Sequence, residues 1–178
     1  MRTTALIVLP VILGVIAFAG CKNSDRNARG CIEGNCVNGV GRFAYDSGTY
    51  AGSFKDSVPH GEGVYTFSNG DRYEGYTVNF KKEQYGTYNY HTGDRYVGEW
   101  KGDRREGQGV YYYAKGDRYA GQWSGDVKKG EGVYHYADGN RYEGNFFDDR
   151  PHGRGVMYSG DGTVKKGNWI YGEYAGSR

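Results

Sequence analysis

An all-β fold, drawn out as one elongated, single-layer, twisted antiparallel sheet, is what this 178-residue chain predicts. Three observations carry the expectation. An aromatic phrase returns every 23 residues: Tyr50-Ala-Gly-Ser-Phe, Tyr73-Glu-Gly, Tyr96-Val-Gly-Glu-Trp, Tyr119-Ala-Gly-Gln-Trp, Tyr142-Glu-Gly-Asn-Phe. A glycine phrase follows within the unit: Gly61-Glu-Gly-Val-Tyr, Gly107-Gln-Gly-Val-Tyr, Gly130-Glu-Gly-Val-Tyr, Gly153-Arg-Gly-Val-Met. The chain holds 32 Gly and 19 Tyr, yet only 37% hydrophobic residues, so rings must do the packing that aliphatic side chains do elsewhere. A unit this short cannot bury a core alone, and the copies have to stack into a rod.

The elements follow in order. Residues 1–20 read as a secretory leader: Arg2, then an apolar run from Ala5 to Phe18, then small residues. The run is too short for a comfortable membrane span. Its end, Phe18-Ala-Gly-Cys21, resembles a bacterial lipobox, with Phe18 departing from the usual Leu. That resemblance implies a lipid on Cys21, a membrane anchor through it, and an exported chain in the cell envelope. Lys22 after Cys21 fits the outer membrane or the cell surface better than the inner membrane. Residues 21–30 are then the lipidated Cys and a polar, flexible tether. In an exported chain the remaining pair, Cys31 and Cys36, reads as a disulfide. A zinc site is the competing reading, and two Cys leave it short of ligands.

Residues 31–49 hold this loop and an N-terminal half unit around Gly39, Gly41, Phe43 and Tyr45. Five units occupy 50–164, and 165–178 is a C-terminal half unit with Gly167, Trp169 and Gly172 in phase. Within a unit the period is two, the mark of strands with one packed face. Tyr, Gly and Trp or Phe stand at positions 1, 3 and 5, and Gly, Tyr and Tyr or Phe at 14, 16 and 18. Asn69-Gly70, Lys115-Gly116, Asp138-Gly139 and Asp161-Gly162 predict two-residue hairpin turns. Lys101 to Glu106 predicts a longer loop. Bare glycines at positions 3 and 14 leave room for rings from positions 1, 5, 16 and 18. Val64, Thr87, Val110, Val133 and Val156 align on the opposite face. The second unit is irregular, with Thr77 for the aromatic and Gln84 for a glycine, and the sheet is expected to bend or loosen there.

Over residues 39 to about 176 these phrases resemble the MORN repeat, Tyr-x-Gly-x-Trp/Phe followed by Gly-x-Gly-x-Tyr/Met-x-Tyr/Phe. The resemblance implies an elongated antiparallel sheet and a part in scaffolding or assembly. Phospholipid binding is a further property proposed for such repeats. The chain departs from the family's frequent Gly at position 8, where Ser57, Asp103, Asp126 and Asp149 stand, and a change of loop shape is expected from that.

No catalytic constellation emerges. His60 and His152 recur in Pro-His-Gly turns, and His91 and His135 follow no metal-ligand spacing. An enzyme, a cofactor, a metal and, at a formal net charge of +2, nucleic acid are therefore not expected. Two surfaces remain as candidates. One is an aromatic trough of Tyr96, Trp100, Tyr111, Tyr113, Tyr119, Trp123, Tyr134 and Tyr136, continued by Trp169, Tyr171 and Tyr174. The other is a basic edge of Lys81, Lys82, Arg104, Arg105, Lys128 and Lys129. Arg72, Arg95, Arg118 and Arg141, following Asp71, Asp94, Asp117 and Asn140, read as a zwitterionic, solvated ladder. The functional expectation is a membrane-anchored, non-enzymatic scaffold with a protein partner, self-associating through its C-terminal edge. The alternative is an envelope element gripping lipid headgroups or cell-wall polymer through the basic edge and the trough.

Overall fold

The protein is described by a computed structural model over residues 30–177. The leader at 1–20, Cys21 and the tether up to residue 29 lie outside the described residues. From Gly30 onward the chain is one antiparallel meander of fourteen strands, each paired only with its neighbours in sequence. They are β1 (Gly30–Gly34), β2 (Gly39–Tyr45), β3 (Gly48–Lys55), β4 (Val58–Phe67), β5 (Arg72–Val78), β6 (Lys81–Asn89) and β7 (Arg95–Lys101). Then follow β8 (Arg104–Tyr112), β9 (Arg118–Ser124), β10 (Val127–His135), β11 (Arg141–Phe147), β12 (Arg150–Tyr158), β13 (Val164–Ile170) and β14 (Glu173–Gly176). At ~4.8 Å per strand the ribbon runs about 60 Å. The described residues contain no helix.

The two kinds of connection are the reverse of the sequence expectation. The tight two-residue turns lie inside the units, at Asp56-Ser57, Asn79-Phe80, Gly102-Asp103, Gly125-Asp126 and Asp148-Asp149. Both residues of each have positive φ, as a primed hairpin turn requires. The Asn69-Gly70 type of loop is longer. The Phe67 N–H bonds the Asp71 carbonyl, the Gly70 N–H bonds the Phe67 carbonyl, and only the glycine is left-handed (φ 92°). This is a turn closed by one left-handed residue, not a two-residue reversal. In consequence Arg104 and Arg105 are strand residues rather than loop residues.

Each unit also carries a bulge. In the β7–β8 pair Gly98 faces Gly109 and Trp100 faces Arg105, so Glu106 to Gln108 stand opposite Glu99 alone. Gly107 takes φ 62° there, and Glu99 Oε1 accepts the Gln108 N–H at 2.8 Å. At the N-terminal edge β1 pairs with β2, and the Cys31 and Cys36 sulfurs lie at bonding distance with Cα–Cα 5.8 Å, a disulfide across the turn.

The core is a single row of rings on one face. Tyr50, Tyr73, Tyr96, Tyr119 and Tyr142 are each 0% exposed. Each lies across the two glycines its unit provides. A Cβ on Gly98 or Gly109 would come within 3 Å of the Tyr96 ring or its hydroxyl. In the five units the side chain nearest the bare glycines at positions 3 and 14 is the position 1 ring, rather than the rings at 5, 16 and 18 that the sequence suggested beside it.

Candidate functional site

The aromatic face is a chain of reciprocal contacts. Each position 1 hydroxyl donates to the carbonyl three residues on: Tyr73 to Tyr76, Tyr96 to Glu99 and Tyr119 to Gln122, all at 2.9 Å. Each position 5 indole reaches backward one unit. Trp100 Nε1 donates to the Gly86 carbonyl (3.2 Å), Trp123 to Gly109 (3.3 Å) and Trp169 to Gly155 (3.2 Å). The same indole stands edge-on to its own tyrosine and to the preceding one: Trp100 meets Tyr96 at 5.0 Å and Tyr73 at 5.7 Å between centroids. Such T-shaped pairs contribute ~0.5–1.5 kcal/mol each beyond the area they bury.

Aspartates at position 22 belong to this face, not to the solvated zwitterionic ladder the sequence suggested: Asp71 and Asp117 are buried, and Asp71, Asp94 and Asp117 all bond ring hydroxyls. Asp71 accepts from the Tyr88 hydroxyl (2.7 Å) and the His91 N–H (2.8 Å) of the following unit. Asp94 does the same with Tyr111 and Ala114, and Asp117 with Tyr134 and Ala137. At the last unit Met157 replaces the tyrosine, and Asn140 replaces the aspartate, keeping only the bond to Gly160 N–H. Burial alone would raise the Asp71 carboxyl. The bonds from the His91 backbone and ring, Tyr88 and Asn69 outweigh it and hold it well below the usual range. Asp117 is lowered against the same burial by Lys115, Tyr134 and Ala137.

The expected basic edge divides in two. Lys81, Arg104 and Lys129 are exposed. Lys82, Arg105 and Lys128 instead fold onto the rings. Arg105 lies 4.3 Å from the Trp123 centroid and 5.3 Å from that of Tyr111, and Lys82 lies 5.2 Å from Trp100. Lys128 lies 5.1 Å from Tyr134, and burial pushes its ammonium below the usual lysine range. Each is paired with the position 8 aspartate of the next unit: Lys82 with Asp103 (3.0 Å), Arg105 with Asp126 (3.1 Å), Lys128 with Asp149 (3.8 Å). The aspartate also accepts the backbone N–H of the cation's own residue. Position 8 is therefore an ion-pair partner, not a change of loop shape. Where position 10 is proline, with neither N–H nor charge, the next position 8 carries no acid: Pro59 precedes Phe80, and Pro151 precedes Gly172.

The expected trough is consequently no open surface. Tyr96, Trp100, Tyr111, Tyr119, Trp123, Tyr134 and Trp169 are buried, and Tyr113 and Tyr136 are half-buried against them. Of the candidate rings only Tyr171 and Tyr174 are exposed, the latter edge-on to Trp169 at 5.3 Å. Ile170 is exposed beside them, and β14 pairs on one side only, with β13.

The opposite face is concave. It encloses a groove of about 1420 Å³ running from β6 to the last described residues, floored by paired glycines and by Val97, Val110, Ala120, Val133 and Val156, with Gln108 and Asn168 among its polar lining. Beside it runs a row one residue wide: Arg72, Asn89, Arg95, Tyr112, Arg118, His135, Arg141 and Tyr158 on successive strands. Arg72 is bonded to Glu74 (2.7 Å) and Arg141 to Glu143 (3.2 Å). Arg95 and Arg118 have no carboxylate partner among the described residues, because Val97 and Ala120 stand where those glutamates would be.

The family model described as MORN repeat matches residues 50–72, 96–118, 119–141 and 142–164, just over half of the chain. Residues 73–95 are not matched, although they form the same hairpin with the same bulge. No curated protein matches the chain.

Proposed function

The chain belongs to the MORN repeat family, and from that premise we propose that it is a lipid-anchored, non-enzymatic interaction module of the bacterial cell envelope. The observation that carries the reading is the division of labour between the two faces. Rings, aspartates and inward cations on one face satisfy one another, while the concave face and the β14 edge stay open to another molecule. A sheet whose polar groups recur unit by unit offers a surface for binding rather than a single reacting centre.

In this reading residues 1–20 are removed on export, Cys21 carries the lipid, and residues 22–30 hold the sheet off the membrane. β1 and β14 are both edge strands; the Cys31–Cys36 bridge ties the N-terminal one to its own turn, and docking and self-association are assigned to the other end. There β14 offers unpaired backbone groups beside Tyr171 and Tyr174. Lys22 after Cys21 is compatible with outer-membrane or cell-surface display.

Two measurements test it. Cys21→Ser should abolish labelling by a fatty-acid probe and shift the protein out of the membrane fraction; equal labelling removes the anchor. Wild type and a variant lacking residues 165–178 are then compared by light scattering over a concentration series. Association in the wild type that the deletion changes supports C-terminal docking, and a concentration-independent monomer in both refutes it.

A further inference from the structure

The geometry points to an oxyanion site between Arg95 and Arg118, across the ring of Tyr112, that takes the carboxylate or phosphate groups of a linear polyanion laid along the groove. It rests on the reading of the chain as a binding module, and it does not need the lipid anchor. Arg95 Cζ lies 4.5 Å from the Tyr112 centroid and Arg118 Cζ 5.7 Å from it, on the strands either side. The two guanidiniums are therefore no more than about 10 Å apart. Both present planar forks suited to oxyanions.

What sets this pair apart is the missing internal acid. Position 2 is Glu in the units at 73–95 and 142–164, where Glu74 and Glu143 neutralise Arg72 and Arg141. It is Val97 and Ala120 in the two units between. Two like charges held over one ring repel each other, and an oxyanion between them removes the repulsion. Lys115 and Asp117 face the other side of the sheet, where they pair with each other (2.8 Å), so that carboxylate does not serve Arg118.

The form of the partner follows from the row. Arginines on every second strand stand ~10 Å apart along the length of the ribbon. They flank a groove whose concave wall a flat bilayer cannot follow, whereas an extended chain lies along it. Tyr112 and Tyr158 in the row, with Gln108 and Asn168 in the groove, suit the rings and hydroxyls of a sugar polymer. A carboxylated polysaccharide is thus the favoured ligand.

The test titrates full-length protein with polygalacturonate and, separately, with phosphatidylglycerol vesicles, by calorimetry at ~0.1 M and ~1 M salt, where the screening length falls from about 10 Å to 3 Å. The polymer should bind at low salt and release at high salt. Arg95→Gln with Arg118→Gln should weaken binding by ~10-fold or more, and Arg72→Gln with Arg141→Gln by much less. Val97→Glu with Ala120→Glu, which copies the neutralised units and keeps both arginines, should weaken it as the first pair does. Thermal melts show that each variant is folded, and either informative pair suffices alone. Equal loss from the two arginine pairs, no binding of the polymer, or binding of vesicles alone overturns the site. Self-association through residues 165–178 would persist in each of those cases, so the module reading is judged separately.

Discussion

Residues 73–95 and 96–118 form the same hairpin, yet they join their neighbours differently. Both place a fully buried tyrosine, Tyr73 or Tyr96, over a pair of glycines, and both bond its hydroxyl to a carbonyl three residues on at 2.9 Å. Both tuck a cation against the rings, Lys82 or Arg105. They differ at position 5. Trp100 spans backward to Tyr73 and to the Gly86 carbonyl, whereas Thr77, also fully buried, has no ring to offer Tyr50. The buried core divides at that point. One cluster holds Cys36, Tyr50 and Phe54, and the other runs from Tyr73 to Trp169, with half-buried Tyr65 touching both. The lesson is that glycine and tyrosine make a unit, and the position 5 ring joins units. The expected loosening at Thr77 is not in the backbone, whose ladder from β5 to β6 is as complete as its neighbours; it lies in the side-chain packing.

That comparison can be broken most severely by copying the irregular unit into the regular ones. Trp123→Thr removes a buried ring, its contacts to Tyr96 and Tyr119 and its bond to the Gly109 carbonyl. A loss of ~3–5 kcal/mol in a denaturant titration is expected. Next comes the feature both units share. Gly109→Val drives a side chain into the Tyr96 ring, and Gly86→Val does the same at Tyr73. Each should cost ~1–3 kcal/mol despite better strand propensity. Val110→Gly, on the groove face, should cost less than either. If Gly109→Val is neutral in thermal melts, the ring-over-glycine packing is wrong.

The coupling between Asp117 and Tyr134 is smaller and has a natural control in Asn140 and Met157. Asp117→Asn and Tyr134→Met should each destabilise, while the pair together costs less than the sum, with a coupling of ~0.5–3 kcal/mol. Additive losses would mean the bond contributes nothing. The same carboxylates give a pH signature. The folded values of Asp71 and Asp117 are depressed. Their contribution is therefore complete above the ordinary value near ~3.9 and is lost as pH falls below it toward the folded values. At the alkaline end the sign reverses. Burial raises Tyr73, Tyr96 and Tyr119 above the ordinary range and takes Tyr142 to about 12. Stability should hold up to about pH 10 and fall steeply beyond it, as tyrosines ionise in the unfolded chain first. The smallest effect expected is a gain: Thr77→Phe supplies the ring that Phe54 and Phe146 supply in their units, and should raise the melting temperature by a few degrees.

The sheet was legible because glycine and aromatic residues alternate with period two inside a 23-residue repeat. The inward cations were legible too, in principle. Lys82, Arg105 and Lys128 sit at an even position, with the parity of the ring positions 16 and 18 and of the glycine at 14. Placing the longer loop at Lys101 to Glu106 took them out of the strand and hid that parity. Gly102-Asp103 and Asp138-Gly139 look alike as turn signals, and only the backbone shows that the first is the two-residue reversal. The bulge at Glu106 to Gln108 has no local signal beyond Gly107, and the Glu99 carboxylate that bonds its Gln108 N–H comes from the facing strand. The missing acids beside Arg95 and Arg118 were legible two residues on, at Val97 and Ala120; that both arginines flank Tyr112 became visible only through the register.

The division of the core at Thr77 is tested most directly by native-state hydrogen exchange of the full-length protein, resolved by peptide. The account predicts two levels of protection. Amides of β2 and β3 exchange through an opening of lower free energy than those of β7 to β12, which open together, and Trp123→Thr creates a second step at β9. A single uniform level of protection across Thr77, unchanged by Trp123→Thr, would contradict it.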